Sequence, residues 1–263
     1  MKKYVIILFV FMFAGVAFSV AQDAKMPIST TSEKALELYT QAMDALNNAE
    51  IDTARQLLND ALKEDPDFFR ANLSMAFVSM NPENPEEFKK YAEKAINTQS
   101  DLSDGEMLIK KALSRLHENP EADVTDVGKE IIDLYPKDES GYYLQGMFQN
   151  LKKDYKGSVK TYSDLLKITE DQGPVYNQLG YAYMNMGDFE ASKKAFDRYI
   201  ELVPNHPNPF DSKGDYFMAV KDYKNAYENY IKAHEIDAAW SYEKALKAKE
   251  LMENSAVSET QDK

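Results

Sequence analysis

Residues 176–204 read YNQLGYAYMNMGDFEASKKAFDRYIELVP, and the fold can be argued from this stretch. Tyr176, Leu179, Gly180 and Tyr183 stand at i, i+3, i+4 and i+7, the spacing of a single helix face. Gly187 then offers a left-handed stop, and Asp188 offers an acceptor for the free N–H groups that open a second helix. In that second helix Phe189, Ser192, Phe196 and Tyr199 recur at three- and four-residue steps until Pro204, which cannot continue it. The pattern predicts two antiparallel helices, A and B, joined by a tight turn.

The same columns return 34 residues away on either side. Gly146, Gly180 and Gly214 form one column, and Asp154, Asp188 and Asp222 another. Tyr155, Phe189 and Tyr223, then Tyr162, Phe196 and Tyr230, and finally Tyr142, Tyr176 and Phe210 keep the interval. Five columns in register over three copies signal a stacked-repeat architecture. The glycine column has a mechanical reason, because two helices cross closely only where one of them presents no bulky side chain.

Tyr176, Leu179, Gly180, Tyr183, Phe196 and Pro204 together resemble the tetratricopeptide repeat pattern. Ser192 and Tyr199 occupy columns where that family usually has alanine, which predicts local repacking. The copy at 207–240 keeps Gly214, Phe217, Tyr223, Ala226, Tyr230 and Ala233, with Lys213 in the Leu column and Ala238 in the Pro column. The copy at 139–172 is looser, with Gln145, Gln149 and Glu170 in the Leu, Tyr and Pro columns. Ala54, Leu58, Ala61 and Pro66 place a further copy at 35–68. Degenerate units at 69–102 and 103–138 complete the frame, with a two-residue insertion near 81–85 or 119–120. In the second of these a helix begins at Asp104 and carries an apolar run over 107–116, and 124–134 reads as its B helix.

The resemblance implies an all-α fold, a right-handed superhelix of about six helix pairs in which each pair buries its core against its neighbours. A stretch rich in Ala, Glu and Lys after Trp240 reads as a capping helix over 241–254. Residues 22–34 read as a linker and 255–263 as a disordered polar tail.

At the N-terminus Lys2-Lys3 precede an uncharged run over 4–21 that ends in Ser19-Val20-Ala21. This predicts a secretory signal peptide over 1–21, cut before Gln22. The alternative is an uncleaved segment of 18 residues, close to the minimum for a bilayer anchor. The chain has no cysteine, so it has neither a disulfide nor a thiol for lipid attachment. Forty-four acidic residues against 31 basic ones give a net charge of −13, which disfavours nucleic acid and anionic lipid as partners.

Residues that carry chemistry are scattered. His117, His206 and His234 lie far apart, and no P-loop, zinc-protease motif or nucleophile elbow occurs. The acidic stretch 101–106 lacks the alternating ligands of a calcium loop, and Asn72-Leu73-Ser74 falls inside a predicted helix. The expectation is a protein without catalytic residues, cofactor or metal.

In the family it resembles, ligand peptides lie along the A helices, one step off the core columns. That frame selects Tyr39, Met43, Leu73, Phe77, Met80, Tyr143, Met147, Tyr181, Met184 and Met218. A face of Met and Tyr suits an irregular apolar peptide. The alternative is that these side chains pack between successive A helices. Asp211 and Asp215 share the same face of the last copy, either as solvated carboxylates or as a place for a basic or N-terminal group. The positions of the family's chaperone-binding clamp carry Tyr39, Leu73, Tyr143, Asn177 and Asp211, none of them basic, which argues against that activity. These readings lead to an exported scaffold or adaptor, periplasmic or secreted, that docks proteins of the cell envelope. The alternative is a membrane-tethered structural subunit that braces a larger complex.

Overall fold

The computed structural model describes residues 25–48, 50–79 and 85–261. Within them lie thirteen helices and no strand: α1 (Glu33–Asn47), α2 (Ile51–Glu64), α3 (Phe69–Val78), α4 (Glu86–Ile96), α5 (Asp104–Glu118), α6 (Thr125–Leu134), α7 (Glu139–Leu151), α8 (Tyr155–Leu165), α9 (Gly173–Met186), α10 (Phe189–Leu202), α11 (Pro207–Ala219), α12 (Tyr223–Ile236) and α13 (Tyr242–Gln261). The all-α repeat fold expected from the sequence is therefore the fold observed, twelve helices in A/B alternation and one terminal helix. By contacts the chain divides into two compact units, Met1–Lys152 and Lys153–Lys263. The division falls within the copy at 139–172.

In the first unit α1 packs on α2, α3 on α4 and α5 on α6, with α2 on α3, α4 on α5 and α6 on α7 linking them. Its core includes Tyr39, Leu58, Phe68, Phe69, Met75, Tyr91, Ile109 and Ile131. These copies look degenerate because alanine stands where later A helices have glycine. Ala42, Ala76 and Ala112 sit mid-helix in α1, α3 and α5 and are at most 1% exposed. The requirement for a small residue persists although the letter changes. Helix α5 does begin at Asp104, but its cap is Ser103. The Ser103 hydroxyl accepts from the Glu106 N–H while Glu106 reaches back to the Ser103 N–H, a reciprocal capping box.

In the second unit α8 packs on α9, α9 on α10, α10 on α11, α11 on α12 and α12 on α13, and α9 also meets α11. Asp154, Asp188 and Asp222 cap α8, α10 and α12, accepting from Gly157, Ala191 and Asn225 N–H groups at 2.9, 3.0 and 3.2 Å. A Cβ placed on Gly180 would lie 2.5 Å from the Phe196 ring, and one on Gly214 would lie 2.4 Å from the Tyr230 ring. The ring of each B helix fills the space that its partner glycine leaves. Ser192 is buried and donates to the Gly180 carbonyl at 2.9 Å, so the hydroxyl in the alanine column ties the two helices at their crossing. Tyr199 is also buried, and its hydroxyl accepts from Asn208 at 3.0 Å.

The residue that ends each A helix of this frame is left-handed: Lys153 (φ 58°), Gly187 (φ 84°) and Lys221 (φ 61°), at 34-residue intervals. At Lys221 the N–H groups of Lys221 and Asp222 donate to Met218 and Phe217 carbonyls, and the same pair of bonds forms at Gly187 and Asp188. Only Gly187 was legible as a stop; the two lysines adopt the conformation because the next helix must start at the following aspartate. Helix α13 buries Ala245 and Ala248 against Ala226 and Tyr230, as expected of a cap. It runs on to Gln261, through most of the stretch read as a disordered tail.

Gly180→Ala and Gly214→Ala are expected to lower the urea midpoint, since overpacking costs about 1–3 kcal/mol against ~1 kcal/mol gained in helix propensity. Lys221→Gly is expected to raise it, stabilising the fold by up to about 1 kcal/mol by relieving a left-handed side chain. Circular dichroism across a urea series checks both, and an unchanged midpoint for Gly180→Ala would contradict the tight crossing.

Candidate peptide-binding site

On α9 and α11 the A-helix columns meet directly. Tyr181 and Asp215, 34 residues apart, are joined by a hydrogen bond from the phenol to Asp215 Oδ2 at 2.8 Å, and the Tyr230 phenol donates to Oδ1 at 2.8 Å. The Tyr181 ring also stands edge-on to Phe196, with centroids 5.2 Å apart. Lys244 of α13 donates to Asp211 at 2.8 Å and to Asp215 at 3.0 Å, and the Ser241 hydroxyl donates to Asp211 at 2.6 Å. The two carboxylates thus hold a basic group, and this chain supplies it. Burial works against the Lys244 charge, but the two aspartates overcome it and raise its pKa. Met184 and Met218 remain half-buried on this face, and Met218 lines a cavity of about 280 Å³ with Asp215, Tyr230, Lys244 and Lys247.

In the first unit the selected residues separate into two groups. Tyr39 and Leu73 are buried, the Tyr39 ring lying 5.2 Å from Phe68. Met43, Phe77, Tyr143 and Met147 are half-buried, so part of each side chain stays open. Met80 lies outside the described residues, as do residues 1–21.

The segment just before α1, read from sequence as a linker, is laid across the N-terminal ends of α3, α5 and α7. The Met26 N–H donates to Asp138, the cap of α7, at 2.8 Å. The Pro27 carbonyl accepts from the Ser103 hydroxyl at 2.9 Å, and the Ser29 hydroxyl accepts from the Ser103 N–H at 3.1 Å. The Ser29 N–H donates to Glu106 at 3.1 Å, and the Thr30 hydroxyl donates to Asp65 at 2.6 Å. Met26 is 4% exposed, and its thioether fills the space beside Gly105, where a Cβ would lie 2.6 Å from the sulfur. Arg70 lies against that sulfur and pairs with the fully buried Glu106 at 3.3 Å. Every Glu106 oxygen is thereby engaged, which is what makes a buried carboxylate tolerable.

Sequence reasoning missed this strap because it has no periodicity. One signal was available, the Ser103-x-x-Glu106 capping-box spacing. In the clear copies the Leu column also hides a charge: Lys213 is 3% exposed and bonds Asp197 at 2.5 Å and the Lys193 carbonyl at 3.1 Å. Burial lowers its pKa despite Asp197. The histidines have local roles. His206 caps α11 by accepting from Asn208 N–H at 3.2 Å, His234 lies 3.2 Å from the Trp240 carbonyl, and His117 lies 3.9 Å from Glu93. Among the described residues no His, Asp and Glu cluster has the makings of a metal site, and no helix is long and apolar enough to cross a membrane. The arrangement is one of grooves and polar anchors, suited to holding polypeptide.

A family model described as Tetratricopeptide repeat matches residues 173–206, the copy made by α9 and α10. Residues 173–206 thus form a tetratricopeptide repeat, and the same glycine-ring crossing returns 34 residues on. Anaphase-promoting complex subunit 3 of Schizosaccharomyces pombe is 27% identical over 121 residues, which is 46% of this chain and 18% of that protein. The chain therefore spans less than a fifth of that relative's length. Among solved structures, a thermophilic TPR protein of Thermus thermophilus aligns at 14% identity and TM-score 0.49, over 83% of this chain and 98% of that one. PilW, a type IV pilus biogenesis factor, aligns at 16% identity and TM-score 0.48, over 81% and 97%. Proteins built on this repeat are scaffolds for protein–protein interaction.

Two measurements test the site chemistry. Burial, reinforced for Tyr181 and Tyr230 by Asp215, raises the pKa of Tyr162, Tyr181, Tyr199 and Tyr230 above the ordinary 10.0, Tyr199 to about 12. Their contribution to stability is intact below pH 10 and is lost as pH climbs towards the folded values, at about 1.4 kcal/mol per pH unit and group. Lys213 acts oppositely below 10.5, but one group does not offset four. The melting temperature is expected to fall steeply between pH 10 and 12. Separately, Glu106→Ala strands Arg70 and is expected to destabilise the fold by about 3–5 kcal/mol, measured by chemical denaturation.

Proposed function

We propose that the chain is an exported adaptor that docks proteins of the cell envelope along its A-helix faces. The observation that carries this is the row of half-buried Met and aromatic side chains in off-core A-helix columns: Met43, Phe77, Tyr143 and Met147 in one unit, Tyr181, Met184 and Met218 in the other. Covering one such side chain is worth ~1.5–3 kcal/mol, so a few of them make a usable interface. The occupant is a protein or peptide rather than nucleic acid, in keeping with the net charge of −13. Export rests on the sequence of residues 1–21, a basic start, an apolar run and Ser19-Val20-Ala21.

Tyr181 is a poor choice for mutation because its phenol and ring both hold the second unit together. Met147→Glu with Met184→Glu is the better variant, since both residues are half-buried. This variant is expected to lose most of its capture of crosslinked partners from an envelope extract, read by mass spectrometry, while keeping its helical circular dichroism. Undiminished capture would sink the docking face. Sequencing the N-terminus of the native protein is expected to return Gln22; Met1 would instead support a membrane-tethered subunit.

A further inference from the structure

The contacts of residues 26–30 have the character of ligand recognition. Most address the main chain: Asp138 takes the Met26 N–H, Glu106 takes the Ser29 N–H, and Ser103 donates to the Pro27 carbonyl. One side chain, Met26, enters a pocket, while Pro27 and Ile28 stay exposed. Backbone pairing with one buried anchor is how folded domains bind extended peptides. The receiving groups are themselves built into the unit, since Arg70 is 7% exposed and Glu106 0%. The strap inserts one apolar side chain, Met26, and is otherwise held by polar contacts.

We propose that the N-terminal ends of α3, α5 and α7 form a peptide-recognition site for an extended Met-Pro-x-Ser-Thr segment, filled in cis by residues 26–30 and open to a partner segment of the same chemistry when the strap lifts. The methionine enters beside Gly105, where its flexible thioether adapts to the space between Tyr135 and Arg70. Glu106 and Asp138 read the two amides, and Asp65 reads the final hydroxyl. The cis strap lowers the apparent affinity for a partner segment by the fraction of time it occupies the site. This site is separate from the A-helix columns, so either can fail alone.

The probe is a fluorescent synthetic peptide of residues 22–31, QDAKMPISTT, followed by anisotropy with the full chain. The Met26→Glu variant, whose strap is expelled, is expected to bind the peptide at least about tenfold more tightly than the unaltered chain. Adding Gly105→Ala, which fills the pocket, is expected to abolish that gain, as is placing Glu at the methionine of the peptide. Met147→Glu with Met184→Glu is expected to leave binding unchanged. No binding to Met26→Glu, equal binding to both chains, or binding that survives Gly105→Ala would each overturn the proposal. Should Met26→Glu lose helical signal, Ser29→Pro, which removes the amide donor to Glu106 and the hydroxyl that accepts from Ser103, takes its place in the same comparison and the same outcomes decide.

Discussion

In the second unit the geometry rests on a ring seated where a glycine has no side chain. Phe196 lies over Gly180 and Tyr230 over Gly214, close enough that even a methyl group would displace the ring. This contact sets the separation of the A and B helices, and so sets where the next A helix lies. The small residue at the crossing is what the whole series needs, and the earlier copies meet the need with Ala42, Ala76 and Ala112. The degenerate repeats are degenerate in their letters more than in their mechanics.

Charge inside the repeats follows one rule: a buried ion is always met by several partners. Glu106 is held by Arg70, by the Ser29 N–H and by the Ser103 N–H. Lys213, in a column meant for leucine, is held by Asp197 and a carbonyl. Asp211 and Asp215 meet Lys244, Ser241 and two phenols. Such groups lose hydration on burial and are stable only when every lone pair and proton finds a partner. Each also ties together segments that are distant in sequence.

Within each unit, a segment from outside the A/B alternation lies on the A helices. In the first it is the strap of residues 26–30, running over helix N-termini; in the second it is α13, whose Lys244 reaches the aspartates of α11. The second places chain where the resemblance to the family leads one to look for a ligand. A repeat surface is sticky along its whole length, and covering part of it with the chain's own residues limits unselective association.

The sequence by itself determined the period, the helix pairs, the aspartate caps, the glycine crossings and the terminal cap, because all of these follow from spacing within a few helical turns. It also placed Asp211 and Asp215 on one face and selected A-helix residues such as Met184 and Met218 that stay partly open. Only the tertiary structure decided that Tyr39 and Leu73 are covered, that Lys244 fills the acidic site, that Lys153 and Lys221 turn left-handed, and that residues 26–30 are a bound strap rather than a linker. Apart from the two lysines, whose turns are local, these depend on contacts between residues 29 to 112 positions apart, made by single side chains or by a segment with no period. Periodicity records which face of a helix is buried; what arrives to bury it leaves no repeating mark in the chain.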